Sequence, residues 1–157
     1  MGKPTGYLAS LQLRTSAGPP PVYATVANVL SFAGPSMSRT VIDQTTLDSP
    51  DFYMERAPGM RDPGEISMEI IFDPELASHN ETGNGLLALY NDDTTPKRLW
   101  RILVPKAEGG TDDRELEFTA FVSNFEWNIG GPDENVTASI TLTISGKVEL
   151  QDETAIV

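Results

Sequence analysis

The sequence contains no cysteine and only one histidine, His79. Without thiols there is no disulfide framework, no thiolate metal site and no cysteine nucleophile, so the chain is indifferent to the redox state of its compartment. A triad built on His79 would need a serine in a strained Gly-x-Ser-x-Gly elbow, and none occurs. Long apolar runs are missing too. Nowhere do 18 apolar residues follow one another, and Met1 to Ser16 holds no sustained apolar stretch. The expectation is a soluble protein made in the cytoplasm, with no membrane partner. Basic residues are scarce: 11 against 23 acidic ones, a formal charge of −12. Such a balance disfavours holding nucleic acid or an anionic membrane.

The motifs that remain carry little chemistry. Asp92-Asp93 and Asp112-Asp113 are acidic pairs, but neither has the alternating carboxylates and closing Glu of a calcium loop, and both read as solvated loop charge. Gly83-Asn84-Gly85-Leu86-Leu87-Ala88 fits Gly-x-Gly-x-x-Ala, yet it follows a polar loop where a nucleotide-binding turn needs a strand tip. No Walker loop is present. Asn80-Glu81-Thr82 and Asn135-Val136-Thr137 match the glycosylation pattern by chance when no leader accompanies them. No catalytic residue, cofactor or metal is therefore expected.

What the chain does have is alternation. From Asn135 to Leu150, Val136, Ala138, Ile140, Leu142, Ile144, Gly146, Val148 and Leu150 share one face, and Asn135, Thr137, Ser139, Thr141, Thr143, Ser145, Lys147 and Glu149 share the other. A period of two with branched residues is a half-buried strand, and an unbroken one here would run about 50 Å. From Thr137 to Ser145 its wet face carries only hydroxyls, too polar for a core and too uncharged for an ordinary solubilising surface. Its expected partner is Glu115 to Ile129, joined through the turn-rich Gly130 to Glu134. There Leu116, Phe118, Ala120 and Val122 share one parity and Phe121, Phe125, Trp127 and Ile129 the other, which predicts a β-bulge near Phe121 or a change of packing environment.

Further strands are predicted over Tyr7 to Arg14, Val22 to Phe32, Ser38 to Thr46 (anchored by Val41), Glu65 to Asp73 and Arg98 to Val104. Pro105 to Arg114 reads as an exposed hairpin tip. Leu86, Leu89 and Tyr90 fit one face of a short helix between Thr82 and Asn91. The 157 residues suit one domain, with a loose N-terminal arm (about 1–6) and a loose C-terminal tail (about 151–157). The fold class expected is mainly β, a sandwich or barrel-like fold with one short flanking α-helix.

Leu47 to Gly64 is different in kind. It holds Pro50, Pro58, Pro63, Gly59 and Gly64 together with Leu47, Phe52, Tyr53, Met54 and Met60, which are costly to leave in water. Two readings stay open on these residues: a lid on its own core, or a loop that docks on a partner.

Several stretches resemble a known family. Thr46-Leu47-Asp48-Ser49-Pro50-Asp51, then Arg56-Ala57-Pro58-Gly59-Met60-Arg61-Asp62-Pro63-Gly64-Glu65 with the strand from Ile66 to Pro74, are similar to the major tail tube proteins of long, non-contractile-tailed phages of the lambda-like group. So are Phe118-Thr119-Ala120-Phe121-Val122 and the run from Asn135 to Lys147. The resemblance spans about Val22 to Leu150 and leaves no room for the additional immunoglobulin-like domain of lambda's own tube protein.

The resemblance implies a non-enzymatic virion protein of the phage tail. It would assemble as stacked, hexameric rings around a channel for the genome, with partners among copies of itself and the tape measure, tail tip and tail terminator proteins. It also implies that the loop within Thr40 to Gly64 reaches neighbouring subunits, making Leu47, Asp48, Phe52, Tyr53, Met54 and Met60 candidate interface residues. Thr137, Ser139, Thr141, Thr143 and Ser145 become candidates for a channel lining that DNA passes without specific binding; the alternative is that these hydroxyls pair across strands or meet another subunit. A carbohydrate-binding or adhesive β-sandwich, using Trp100, Trp127 and tyrosines as a platform, is the alternative function.

Overall fold

The computed structural model describes residues 9–106 and 114–152, apart from the side chain of Asp152. The expected N-terminal arm, the glycine pair and Asp112-Asp113 of the expected hairpin tip, and the tail beyond Asp152 lie outside the described residues. In chain order the elements are β1 (Ser10–Ser16), β2 (Val22–Thr25), β3 (Val29–Ala33), β4 (Ser38–Asp43), β5 (Arg56–Asp62), β6 (Glu65–Ile71), α1 (Leu86–Tyr90), β7 (Arg98–Val104), β8 (Arg114–Asn128), β9 (Thr137–Ile144) and β10 (Glu149–Asp152).

One eight-stranded antiparallel sheet runs β2-β1-β7-β8-β9-β6-β3, with β10 added on β8. Its two end strands, β2 and β3, are separated in sequence only by Val26-Ala27-Asn28. A connection that short forces the sheet to curl until its ends meet, which gives the barrel-like closure. The corner is hydrogen-bonded to both ends: Val26 N–H donates to Leu11 O (3.0 Å), and Ile71 N–H donates to Asn28 O (3.0 Å). Asn28 turns the chain with φ 57°, a left-handed conformation that asparagine tolerates better than most residues. The single strand expected from Val22 to Phe32 is therefore two, and its alternation breaks at Leu30, which is exposed because the β3/β6 register slips between Val29 and Ser31.

The alternating residues build the core. Ile66, Met68 and Ile70 of β6, Trp100 and Ile102 of β7, Phe118, Ala120 and Val122 of β8, and Ala138, Ile140, Leu142 and Ile144 of β9 are all buried. Each large aliphatic among them contributes about 1.5–3 kcal/mol on leaving water. The phase change in β8 is a bulge: Val122 opposes Leu142 and Asn124 opposes Thr141, so Ser123 is the extra residue. Beyond it the odd-numbered Phe125 and Trp127 oppose the buried Ile140 and Ala138. Phe125 joins the core face while Trp127 stays exposed beside it, and Phe72 meets both edge-on at 6.0 and 5.8 Å.

The closing segment is not one strand of 16 residues. Ile144 opposes Ala120 and Glu149 opposes Glu117, five steps along this strand against three along β8. The slack is taken up around Gly146, whose φ of +96° is one that a side chain rarely permits. A slip of two preserves parity, so Val148 still packs against the core.

His79 belongs to this core and not to a solvated loop. It is buried, its Nδ1 accepts the Asp73 N–H (3.2 Å), and its Nε2 lies 2.7 Å from Ala27 O. An accepting Nδ1 puts the proton on Nε2, which then donates to Ala27 O. With Phe72 stacked on the ring at 6.0 Å, the imidazole pins the 26–28 corner to the loop after β6. The same loop reaches α1, where Leu86 N–H donates to Ser78 O (2.9 Å) and Leu86 and Leu89 are buried. At Gly85 the chain passes so close to Asn80 that a Cβ would lie 2.1 Å from its carbonyl oxygen.

Candidate functional site

Two surfaces hold the candidate residues. The first is an arm. β4 and β5 pair only with each other, as a two-stranded sheet apart from the barrel, and carry the chain from β3 out and back to β6. The stretch expected as a continuous loop from Leu47 to Gly64 thus contains a strand, Arg56–Asp62. Pro58 is admitted because it stands opposite Val41 at a break in register between Arg39 and Val41, where no ladder N–H is required. Val41, expected to anchor β4 inward, is exposed, as is every residue of that strand.

The arm's apolar residues meet no core. Leu47, Phe52, Tyr53, Met54 and Met60 are all exposed, Phe52 at 104% of its reference area, along with Met37, Val41 and Ile42. Asp48 is exposed beside them. At the tip, Pro50–Phe52 form a 3-10 turn closed by Tyr53 N–H donating to Pro50 O (3.2 Å). Asp51 (φ 56°) and Phe52 (φ 62°) are consecutive left-handed residues. For a bulky ring this conformation costs of order 1–3 kcal/mol. Hydrogen bonds between Thr45 and Glu55 (2.9 and 3.3 Å) and from Thr46 N–H to Ser49 Oγ (2.9 Å) tie the base of the tip.

The second surface is the outer face of β9. Thr137, Ser139, Thr141 and Thr143 alternate with the buried Ala138, Ile140, Leu142 and Ile144, and Ser145 follows on the same side. Their neighbours across the ladders are Glu69 and Glu126 beside Ser139, Ser67 and Asn124 beside Thr141, and Glu65 and Phe121 beside Thr143. The hydroxyl column is thus flanked by three carboxylates. Thr143 Oγ1 donates to Ser123 Oγ (2.8 Å), which donates to Thr141 O (3.2 Å); Ser139 stays exposed. Sequence reasoning could not say which acids flank the column, since they come from β6 and from β8 beyond the bulge.

A third polar cluster, on the outer face of β1 and β7, is structural. Arg101 lies 3.6 Å from the centre of the Tyr23 ring, donates to Glu115 Oε1 (2.6 Å) and to Gln12 Oε1 (2.5 Å), and so ties β1, β2, β7 and β8 together. Burial, followed by the charge of Glu117, raises the Tyr23 phenol above its ordinary range. The two tryptophans share no platform. Trp100 is buried inside the barrel, and Trp127 packs on Phe72 and Phe125. Among the described residues no group of three His, Asp or Glu side chains is placed to hold a metal ion, and no helix is long and apolar enough to cross a membrane.

Solved structures share this fold. The virion of a native gene transfer agent particle contains a chain 12% identical, with TM-score 0.71, covering 95% of this chain and 99% of that one. A chain in the tail of the empty gene transfer agent particle, refined with C6 symmetry, is 15% identical with TM-score 0.64 over 95% and 99%. The SPP1 tail tube chain is 10% identical with TM-score 0.62 over 96% and 80%. No curated protein matches the chain. The family comparison covers residues 13–154, from within β1 past the end of β10, and therefore takes in the barrel, the arm and the hydroxyl face alike: the chain belongs to the lambda-like phage tail tube proteins.

Proposed function

We propose that this chain polymerises as stacked rings, six copies to a ring, forming the tail tube through which a phage genome is ejected. The observation that carries the reading is the arm, whose exposed large apolar side chains have no core of their own to enter. Large apolar side chains left exposed together on one arm mark a site of association. A strained tip that holds Phe52 outward is the sort of local cost that persists at functional positions. Leu47, Asp48, Phe52, Tyr53, Met54 and Met60 would bury against the neighbouring subunit, and ring closure would satisfy a heterologous contact without leaving it open. The C6 symmetry of the gene transfer agent tail is consistent with six copies.

In the same assembly the hydroxyl column of β9 lines the channel. Thr137, Ser139, Thr141, Thr143 and Ser145 offer DNA no cation to hold, and Glu65, Glu69 and Glu126 repel phosphate within roughly 8 Å at physiological salt. The wall is passive: it performs no bond-making and binds no cofactor. Tape measure, tail tip and tail terminator proteins would be the remaining partners, with synthesis in the host cytoplasm and residence in the virion tail. Negative-stain microscopy of concentrated purified protein is expected to show rings or tubes, and Phe52→Ala with Tyr53→Ala to abolish them while the monomer stays folded. A wild-type chain that remains monomeric at every concentration would overturn the reading. Replacing Ser139 and Thr141 by Lys is expected to slow ejection with tubes intact; unchanged ejection would remove the channel placement.

A further inference from the structure

Where the arm leaves the barrel, a groove of about 690 Å³ lies between the ends of β4 and β5 and the break around Gly146, lined by Met37, Ser38, Arg39, Arg61, Lys147 and Val148 among others. In a chain of net charge −12 it gathers three cations. Arg39 and Arg61 stand directly opposite each other in the β4/β5 register, an arrangement that like charges make unfavourable. Neither side chain has a hydrogen-bond or ion-pair partner among the described residues; the two residues are tied only through the backbone ladder. Lys147 has Glu149 at 3.4 Å but remains largely exposed. The one acid at the rim, Asp62, already accepts the Gly64 N–H (2.9 Å). Met37 and Val148 give the groove an apolar floor.

The complement is on the same molecule, at the far end of β9. The β8–β9 turn exposes Asp133 and Glu134 beside the apolar Ile129 and Val136. Groove and turn flank opposite ends of the eight residues of β9, roughly 25 Å apart at about 3.3 Å per residue. One molecule cannot close that distance on itself. We infer that the Arg39/Arg61/Lys147 groove receives the Asp133-Glu134 turn of a second copy, joining copies head to tail. Such a contact is heterologous, so it propagates along a stack. The inference rests on the tube reading and names the surfaces that would join one copy to the next.

The absence of native cysteine supplies the test. Ser38→Cys lies on the exposed groove rim, and at Gly131 an added side chain meets nothing within 4 Å. Under mild oxidation the S38C/G131C chain is expected to give a disulfide-linked ladder, and a mixture of the two single variants a dimer. Independently, Arg39→Glu with Arg61→Glu is expected to lower assembly at least tenfold, and Asp133→Lys with Glu134→Lys in the same chain to restore it. If micrographs show tubes but no ladder forms, or if the charge-reversed chain assembles as the wild type does, the docking is overturned while the tube stands. If the unmodified chain forms no assembly at all, both readings fall.

Discussion

The barrel and the arm are built from similar residues and obey opposite rules. In the barrel, Ile66, Met68 and Ile70 alternate with Glu65, Ser67 and Glu69, and one face is dry. In the arm, β4 and β5 carry Val41, Ile42 and Met60, and almost nothing is dry. A two-stranded ribbon without a packed face is marginal in water at best. The difference teaches that apolar content alone does not locate a core. Closure of the sheet decides which apolar residues the monomer can bury, and the arm lies outside that closure.

Matched truncations should break this comparison if it is wrong. Phe118 stands opposite Trp100 and is buried, so Phe118→Ala is expected to cost about 3–5 kcal/mol. Calorimetry should register it as a fall in Tm of about 2–4 °C per kcal/mol. Next comes His79→Leu, which leaves Ala27 O and the Asp73 N–H without their partner. The expected loss is about 1–3 kcal/mol for each group left unpaired, with faster amide exchange at Val26 and Ile71, whose N–H groups hold the corner. Phe52→Ala on the arm is expected to change stability by no more than about 0.5 kcal/mol, although assembly is lost. A Phe52→Ala monomer that melts several degrees early would show that the arm packs on its own barrel after all.

The same contrast governs what the sequence reveals. Strands with one dry face are legible, because burial writes a period of two: β7 falls at Arg98–Val104 as the alternation predicts, and the bulge expected near Phe121 lies at Ser123. β5 is illegible for the converse reason. Both faces of the ribbon are wet, Pro58 and Gly59 punctuate it, and no burial pattern distinguishes it from a loop. The alternation across Val22 to Phe32 conceals a corner whose one local signal is Asn28. His79 looks like loop polarity, since Ala27 and Phe72 approach it only through the closed fold. At the candidate site the hydroxyl column could be read from β9 alone. The acids beside it, and the opposed Arg39 and Arg61, depend on register and could not.

The smallest expected effect is also the sharpest test of whether arm and barrel are thermodynamically separate, because it compares two aspartates held in the same way. Asp92, between α1 and β7, lies below its ordinary value of 3.8 because the backbone N–H groups of Thr95 and Thr94 bond to it, with lesser help from the Thr95 side chain and Arg98. On the arm, Asp43 is lowered by the Thr45 side chain and then by the Thr45 N–H. A carboxyl whose folded value is depressed stabilises the fold fully above its unfolded value, and that contribution is lost as pH falls through the folded one. Asp92→Asn removes this linkage from the barrel, so the difference in Tm from wild type should be constant above about pH 5 and shrink below about pH 4. Asp43→Asn removes an equivalent linkage from a ribbon that melts by itself. The Tm of the barrel should then be unchanged at every pH, and the effect should surface only as faster amide exchange at Thr45, full above about pH 5 and vanishing below about pH 4. If Asp43→Asn also shifts the acid limb of the global melting curve, arm and barrel unfold as one unit, and the independence argued from their separate sheets is lost.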